Sequence, residues 1–146
     1  MAHPRVFLSS TFYDLRQVRS DIEGFIARLG YDAVLHERGA VTYGSKEALE
    51  QYCYREIKQV DILVSVIGRR YGTPANNSQY SISQQELKTA YKKGIQVYIF
   101  VEHAVLAEYR TYLKSKGNNA FQCAHVDDLR VYEFLEKFTT FLATIQ

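Results

Sequence analysis

Apolar residues follow two different periods along this chain, and the two periods alternate. Short apolar runs, such as the almost continuous ILVSVI of Ile62–Ile67, predict β-strands, because strands buried on both faces of a parallel sheet read as unbroken apolar segments. Between these runs, apolar residues recur every three or four positions, which predicts amphipathic helices. The predicted strands are Arg5–Ser9, Ala33–His36, Ile62–Ile67, Ile95–Val101 and Ala120–Cys123.

The order of these elements predicts the fold class. A helix follows each of the five strands, which is typical of an α/β fold with a parallel sheet, helices on both faces and right-handed crossovers. We expect one domain over residues 1–146, with a flavodoxin-like, three-layer fold and a five-stranded sheet in the order 2-1-3-4-5. Such sheets bind ligands beyond the carboxyl ends of their strands. This rule indicates the loops Ser9–Asp14 and Gly68–Ser83, and the chain after Glu102.

Composition and charge exclude several classes of protein. The 146 residues are 47% hydrophobic and 23% charged, as in ordinary globular domains, and a net charge of +2 argues against a dedicated nucleic-acid binder. Two cysteines cannot form a disulfide framework, and no Cys/His spacing resembles a zinc site, so we expect no metal. The four histidines have no Ser or Asp partner at a telling spacing, which leaves a hydrolase triad without support. Without a signal peptide or a long apolar run, we expect a cytoplasmic protein with no membrane contact.

Hydroxyl groups mark the junction between the first strand and the first helix. Ser9, Ser10 and Thr11 stand there, and Asp14 follows. Hydroxyls and free backbone N–H groups at a helix N-terminus suit a phosphate or another anion. A purely structural interpretation also fits, in which Thr11 or Ser10 caps the helix and Asp14 completes a capping box. No GxxxxGK[ST] motif is present, which argues against P-loop hydrolysis of ATP or GTP.

A glycine-flanked loop, Gly68–Gly72, follows the most apolar strand. Two glycines allow the backbone to approach a ligand closely, and Arg70 can form paired hydrogen bonds to a phosphate or carboxylate. Tyr71 offers a ring that can stack on a base. The alternative is a solvated loop with a turn glycine at each end.

Glu86 is the only carboxylate between Gly68 and Gly94. The string Ser83-Gln84-Gln85-Glu86 fits the capping box S-x-x-E, which gives the glutamate a structural role. A functional role is also open, because this helix start lies beside the loop after the third strand. A carboxylate there can stabilise or attack an oxocarbenium-like centre, as in glycosidic cleavage.

The last predicted helix, Asp127–Ile145, has a wide apolar stripe. Part of this stripe must cover the sheet, and we expect the rest to dock onto a partner or onto a following domain. The chain is therefore expected to be a domain of a longer protein. The stripe consists of Val131, Phe134, Leu135, Phe138, Phe141, Leu142 and Ile145.

Three strings, in this order, resemble one protein family. They are VFLSSTFYDLRQVRSDIEGFIARLGYDAV, VDILVSVIGRRYG and YSISQQELKTAYKKGIQVYIFVE, within about residues 4 to 102. They are similar to the TIR-like family long catalogued as a domain of unknown function, which occurs at the N-terminus of NACHT/STAND ATPases, tetratricopeptide-repeat proteins and propeller proteins. The resemblance implies a compact flavodoxin-like fold related to TIR domains and to nucleoside deoxyribosyltransferases. It also implies that residues 1–146 are a single TIR-like domain from the N-terminal part of a larger protein.

The resemblance also implies roles for individual residues. In the two related superfamilies, a glutamate at the start of this helix is the catalytic carboxylate of N-glycosidic chemistry, which implies the same role for Glu86. Two departures stand out, because Arg69 replaces a frequently acidic residue and Leu87 replaces a frequently aromatic one. The family's three motifs correspond to Ser9, Ser10, Thr11 and Asp14, to Gly68, Arg70, Tyr71 and Gly72, and to Ser81, Ser83 and Glu86.

Three functions are consistent with the resemblance. The first is an effector domain in immune or antiphage defence signalling that hydrolyses NAD and releases nicotinamide, needs no cofactor and acts as a homo-oligomer. The second is a non-catalytic module of a STAND-type sensor that binds other proteins or itself. The third is an enzyme like the nucleoside deoxyribosyltransferases, which shares the glutamate and differs in substrate.

Overall fold

The computed structural model describes residues 4–11, 15–34, 54–75, 79–115 and 121–145, with side chains only as far as Lys137 in the last segment. Residues 54–57 are also helical. The strands are β1 (Arg5–Ser9), β2 (Asp32–Val34), β3 (Ile62–Ile67) and β4 (Gln96–Val101), and the helices are α1 (Arg16–Arg28), α2 (Ile82–Lys93), α3 (His103–Lys114) and α4 (Arg130–Ile145).

The four strands form one parallel sheet in the order β2-β1-β3-β4. The predicted α/β class, the parallel pairing and the order of the first four strands are confirmed. From β1 the chain adds β2 on one side, and then adds β3 and β4 on the other side, so the strand order changes direction between β1 and β3, where Ser9 pairs in register with Ser65. The carboxyl ends of these two strands therefore form the topological switch point.

The prediction of a fifth strand at Ala120–Cys123 is wrong, since residues 121–123 lie in no strand. The Glu108 carboxylate accepts hydrogen bonds from the N–H groups of Ala124 at 2.8 Å and His125 at 3.0 Å. These bonds hold the segment against α3, and its apolar side chains join the cluster of α3 and α4 without pairing with β4 as a strand. Within the described residues, β4 is consequently the edge of the sheet.

Helices cover the two faces of the sheet unequally. On one face, here called the α2 face, Phe7 and Leu63 pack against Leu87 of α2 and Phe134 of α4. On the other face, here called the α1 face, Leu8 and Val66 pack against Leu15 at the start of α1. Of the described helices, α2, α3 and α4 all lie on the α2 face.

A second apolar cluster joins α3 to α4 and contains several tyrosine rings. Tyr132, which is fully buried, packs against both Tyr109 and Tyr112, with ring centroids 6.0 and 5.6 Å away. Tyr71, from the loop after β3, belongs to the same cluster. This cluster therefore connects α4 to the loop at the switch point. No helix in the described part of the chain is long and apolar enough to cross a membrane.

Candidate functional site

The candidate site lies at the carboxyl ends of β1 and β3, where the predicted loops meet. Ser9 ends β1 and Ser65 lies beside it in β3, and both are buried on the α2 face. Helix α2 begins directly opposite them. Two buried hydroxyls thus face the first turns of the helix that carries Glu86.

The capping box of α2 is formed by Ser81 and Gln84. The Ser81 hydroxyl accepts a hydrogen bond from the Gln84 N–H at 3.3 Å, and the Gln84 side chain accepts one from the Ser81 N–H at 3.2 Å. The predicted box of Ser83 and Glu86 is therefore wrong, because the helix begins two residues earlier than that box requires. Its N-cap is Ser81, and Glu86 lies in the second turn.

Glu86 instead directs its carboxylate at the end of β1. The side chain is 7% exposed, and its Oε1 atom lies 3.0 Å from the Ser9 hydroxyl, which donates to it. The Ser83 carbonyl oxygen lies 3.3 Å from the same hydroxyl. The structure thus brings together Ser9, Ser83 and Glu86, which the sequence placed on two separate motifs.

The loop after β1 is held by a buried arginine rather than by a helix cap. Helix α1 begins at Arg16, and its N-cap position makes no side-chain capping bond, so the predicted capping by Ser10 or Thr11 is wrong. The guanidinium of Arg19 donates to the Ser10 hydroxyl at 2.7 Å and to its carbonyl oxygen at 3.3 Å. Asp14, predicted to complete the cap, lies outside the described residues.

A small cleft opens between the β1 loop, the β3 loop and the start of α2. Its volume is about 30 Å³, which is enough for a water molecule and too small for a nucleotide. Glu86 and Ser9 are buried close to this cleft. The residues that line it are Thr11, Ser65, Val66, Ile67, Gly68, Arg70, Tyr71, Ser81, Ser83, Gln84, Val131 and Phe134.

Gly72 allows the two loops of the cleft to touch. Its φ of +90° lies in the left-handed region, and a Cβ atom there would meet the Thr11 Cγ2 atom at 2.8 Å. Glycine is the residue that adopts this backbone without strain and leaves room for the methyl group. Gly72 thus supports the cleft without lining it.

Tyr71 lies in the wall of the cleft, and the residue is 5% exposed. Its hydroxyl donates to the Gln79 carbonyl at 3.1 Å, and the Arg130 guanidinium stacks 3.9 Å from the ring centre. Burial raises the pKa of Tyr71, while the charge of Arg130 acts in the opposite direction. A ring covered in this way is not presented to a nucleotide base.

Asp127, three residues before α4, holds the Gly68–Gly72 loop in place. Asp127 accepts a hydrogen bond from the Tyr71 N–H at 2.8 Å, and its own N–H donates to the Arg69 carbonyl at 2.9 Å. The Arg69 side chain points elsewhere and forms an ion pair with Glu102 at 3.0 Å. Arg70 is exposed and lines the cleft.

Sequence reasoning missed three contributors to the site: Ser65, Arg19 and Asp127. Ser65 had a usable signal, because it is the one polar residue in the apolar run ILVSVI. Arg19 and Asp127 had none, since their roles depend on contacts made by the folded chain. Among the described residues, no group of three or more His, Cys, Asp or Glu side chains could hold a metal ion.

Comparison with known proteins places the chain in a family. A family described as domain of unknown function, DUF4062, matches residues 5–142. The chain belongs to the DUF4062 family. No curated protein matches the sequence. Among solved structures, this DUF4062 domain is similar to the Clostridium botulinum CMP N-glycosidase BcmB, with a TM-score of 0.44 and 17% identity over 73% of this chain and 81% of that one.

Proposed function

We propose that this DUF4062 domain binds a nucleotide at the carboxyl edge of its sheet and cleaves the N-glycosidic bond, with NAD as substrate and Glu86 as catalytic carboxylate. The observation that carries the proposal is the placement of Glu86. Its carboxylate is 7% exposed, takes no part in the capping box of its helix, and receives the Ser9 hydroxyl at the switch point. A buried carboxylate beside a cleft at this position is a candidate for chemistry.

The proposed reaction breaks one bond and forms another. The bond between ribose C1′ and the nicotinamide nitrogen breaks, and nicotinamide leaves with its electron pair. The negative charge of Glu86 stabilises the cationic ribose that remains. Water then forms the new C1′–O bond and releases a proton, so that the products are nicotinamide, ADP-ribose and one proton.

Other residues of the cleft supply binding groups in this proposal. Arg70 pairs with a phosphate, for which its guanidinium fork is suited. The hydroxyls of Thr11, Ser65 and Ser83 are within the lining and suit the ribose. Tyr71 holds the Gly68–Gly72 loop and does not stack on the base, because Arg130 covers its ring.

Nucleotide binding requires the cleft to widen, since its volume of about 30 Å³ holds only a water molecule. The widening must separate the Gly68–Gly72 loop from the start of α2. The contacts of Asp127 and Arg130 with this loop oppose that movement. A slow or conditional activity of the isolated domain is therefore expected.

The small cleft also favours a second candidate function, a binding module without turnover. The two functions differ in ligand-dependent stability, because a ligand that binds only the folded state raises the melting temperature. Thermal unfolding with millimolar NAD, ADP-ribose or a deoxynucleoside measures this directly. The enzyme proposal predicts a rise that Arg70→Gln reduces, and the module predicts no rise with any of the three.

Base release tests the enzyme proposal itself. The purified domain is incubated with NAD or with a deoxynucleoside, and free base is quantified for wild type, Glu86→Gln and the control Glu23→Gln, which alters an exposed glutamate of α1. Release of nicotinamide by wild type and Glu23→Gln, but not by Glu86→Gln, supports the proposal. Release from the deoxynucleoside alone indicates the transferase-like alternative.

A further inference from the structure

Ser65 is a polar residue in an otherwise apolar interior strand. It lies in β3, between two paired strands, and shares the α2 face with Leu63, because residues two apart on a strand point to the same side. Leu63 belongs to the apolar cluster on that face, and the exposed fraction of Ser65 is only 3%. The other residues of the run ILVSVI are all apolar. An apolar residue at position 65 would extend the buried cluster.

The Ser65 hydroxyl makes no hydrogen bond within the part of the chain that the structure describes. Its in-register neighbour Ser9 is similarly buried, but the Ser9 hydroxyl donates to Glu86. Burying a hydroxyl without a hydrogen bond is unfavourable, and buried polar groups in folded proteins are therefore almost always paired. Ser65 thus lowers the stability of the domain relative to an apolar residue, and packing does not explain its presence.

Ser65 lines the small cleft, where a ligand can supply the missing partner. Ser83, in the first turn of α2, lines the same cleft, and its hydroxyl likewise makes no hydrogen bond to a described residue. The Ser81 hydroxyl is different, since it accepts the Gln84 N–H. Two serine hydroxyls, those of Ser65 and Ser83, are therefore left for a ligand in the cleft beside Glu86.

The chemistry of these two groups indicates what they bind. A serine hydroxyl donates one hydrogen bond, accepts others and carries no charge, so it pairs well with another hydroxyl. Ribose has neighbouring hydroxyls at C2′ and C3′ and can give each serine a partner, whereas 2′-deoxyribose leaves one serine unpaired. A site that forms hydrogen bonds to a ligand hydroxyl rejects an analogue without it, because buried polar groups of the site then lose their partner.

The size of the cleft agrees with this role. Its volume of about 30 Å³ fits one water molecule, which can pair with the Ser65 hydroxyl in the free domain. A ligand hydroxyl that displaces this water makes the same kind of hydrogen bond, so Ser65 stays paired when the ligand binds. A deoxyribose in the same place displaces the water and supplies no hydrogen bond in return.

We infer that Ser65 is a specificity-determining residue, whose hydroxyl binds a sugar hydroxyl of the ligand and selects ribose over 2′-deoxyribose. The inference rests on the proposed function, because it takes the ligand of the cleft to be a nucleotide. It adds a substrate class, the ribonucleotides, and a residue that lies outside the three sequence motifs of the family. Ser83 supplies the second hydroxyl of the pair.

Urea denaturation tests the unpaired hydroxyl without any ligand. Ser65→Ala removes a buried hydroxyl that has no partner in the described chain, so its urea midpoint is expected to equal or exceed that of wild type. Ser9→Ala is the matched comparison, since it removes a buried hydroxyl of the adjacent strand that does have a partner, and its midpoint is expected to fall. A midpoint for Ser65→Ala as low as that of Ser9→Ala would overturn the inference, because the protein itself would then hold the hydroxyl.

Calorimetric titration with a matched pair of compounds tests the selectivity. Nicotinamide mononucleotide carries both ribose hydroxyls, and its 2′-deoxy analogue lacks one of them. Wild type is expected to bind the ribonucleotide about tenfold more tightly, which corresponds to one hydrogen bond. Ser65→Ala is expected to abolish this preference, whereas Ser20→Ala, which alters an exposed serine of α1, is expected to keep it.

The outcomes of this titration separate the inference from the proposed function. Equal affinity of wild type for the two compounds, or a preference that Ser65→Ala keeps, would overturn the inference and leave nucleotide binding in place. Binding of neither compound by wild type would overturn the proposed function, and the inference with it. A purely structural serine would affect stability without changing the ratio of the two affinities.

Discussion

The Ser9 hydroxyl lies 3.0 Å from the Glu86 carboxylate and joins the end of β1 to the second turn of α2. Both side chains are buried, and they are separated by 77 residues in sequence. This bond ties a strand of the sheet to the helix that carries the proposed catalytic group. Its strength and its chemical consequence can be measured separately.

Replacing Ser9 by alanine is expected to lower the free energy of unfolding by about 1–3 kcal/mol, because the buried carboxylate loses a hydrogen-bond donor. Urea denaturation measures the change. Ser20→Ala, an exposed serine on α1, is the control and should be close to neutral. An unchanged midpoint for Ser9→Ala would show that the bond is absent in solution.

The N-cap of α2 can be located by two serine substitutions. Ser81→Ala should destabilise the domain by about 1 kcal/mol, since it removes the hydroxyl that accepts the Gln84 N–H. Ser83→Ala should cost less, because Ser83 lies inside the helix. If the larger loss occurred at Ser83 instead, the helix would begin two residues later and Glu86 would be part of the cap.

Because Gly72 lies close to Thr11, substitutions at these two positions are expected to have coupled effects on stability. Gly72→Ala should lower the free energy of unfolding by about 1–3 kcal/mol, through backbone strain at φ +90° and a contact of 2.8 Å with the Thr11 methyl group. In a Thr11→Ser background the methyl group is gone, so the same change should cost less. A double-mutant cycle measures this coupling, and strictly additive losses would contradict the contact.

The hydrogen bonds of Glu108 are expected to make the free energy of unfolding depend on pH. Burial alone would raise its pKa, but hydrogen bonds from the Tyr132 hydroxyl and the N–H groups of His125 and Ala124 outweigh it and hold the pKa below the ordinary value. A carboxyl whose pKa is lower in the folded state binds its proton less readily there than in the unfolded state. Its contribution is therefore present above the unfolded pKa of about 4.3 and is lost as pH falls through the folded pKa.

Urea denaturation of wild type and Glu108→Gln between pH 7 and pH 3 checks this prediction. The wild type should be the more stable at pH 7, and the difference between the two proteins should narrow below about pH 4. Glu133→Gln, an exposed glutamate on α4, serves as the control. A difference that stayed constant with pH would contradict the proposed network.

The sequence predicted the sheet better than the site, for a physical reason. Strands such as Ile62–Ile67 are buried on both faces, so their apolar pattern was visible without knowledge of their neighbours. The N-cap of α2 could not be identified in this way, because Ser81-x-x-Gln84 and Ser83-x-x-Glu86 are overlapping capping-box patterns. In the folded chain, the Ile82 N–H donates a hydrogen bond to the Thr73 carbonyl. This contact with the preceding loop is present where the helix begins after Ser81, and the local sequence does not reveal it.

The predicted fifth strand and Tyr71 show a second reason why the sequence did not predict the whole structure. Apolar residues near Cys123 read as a strand, but they pack in the cluster between α3 and α4. The sequence predicted that the Tyr71 ring could stack on a base. In the structure, Arg130, 59 residues away in sequence, covers this ring. A local sequence pattern predicts that a side chain is buried, but the residues that bury it depend on contacts between distant parts of the folded chain.

The release of nicotinamide from NAD, followed by proton NMR at high protein concentration, tests the central claim most directly. The account predicts free nicotinamide with wild type and with Glu23→Gln, and none above background with Glu86→Gln, provided that Glu86→Gln remains folded by circular dichroism. Release by Glu86→Gln at the wild-type rate, or intact NAD in all three samples, would contradict it.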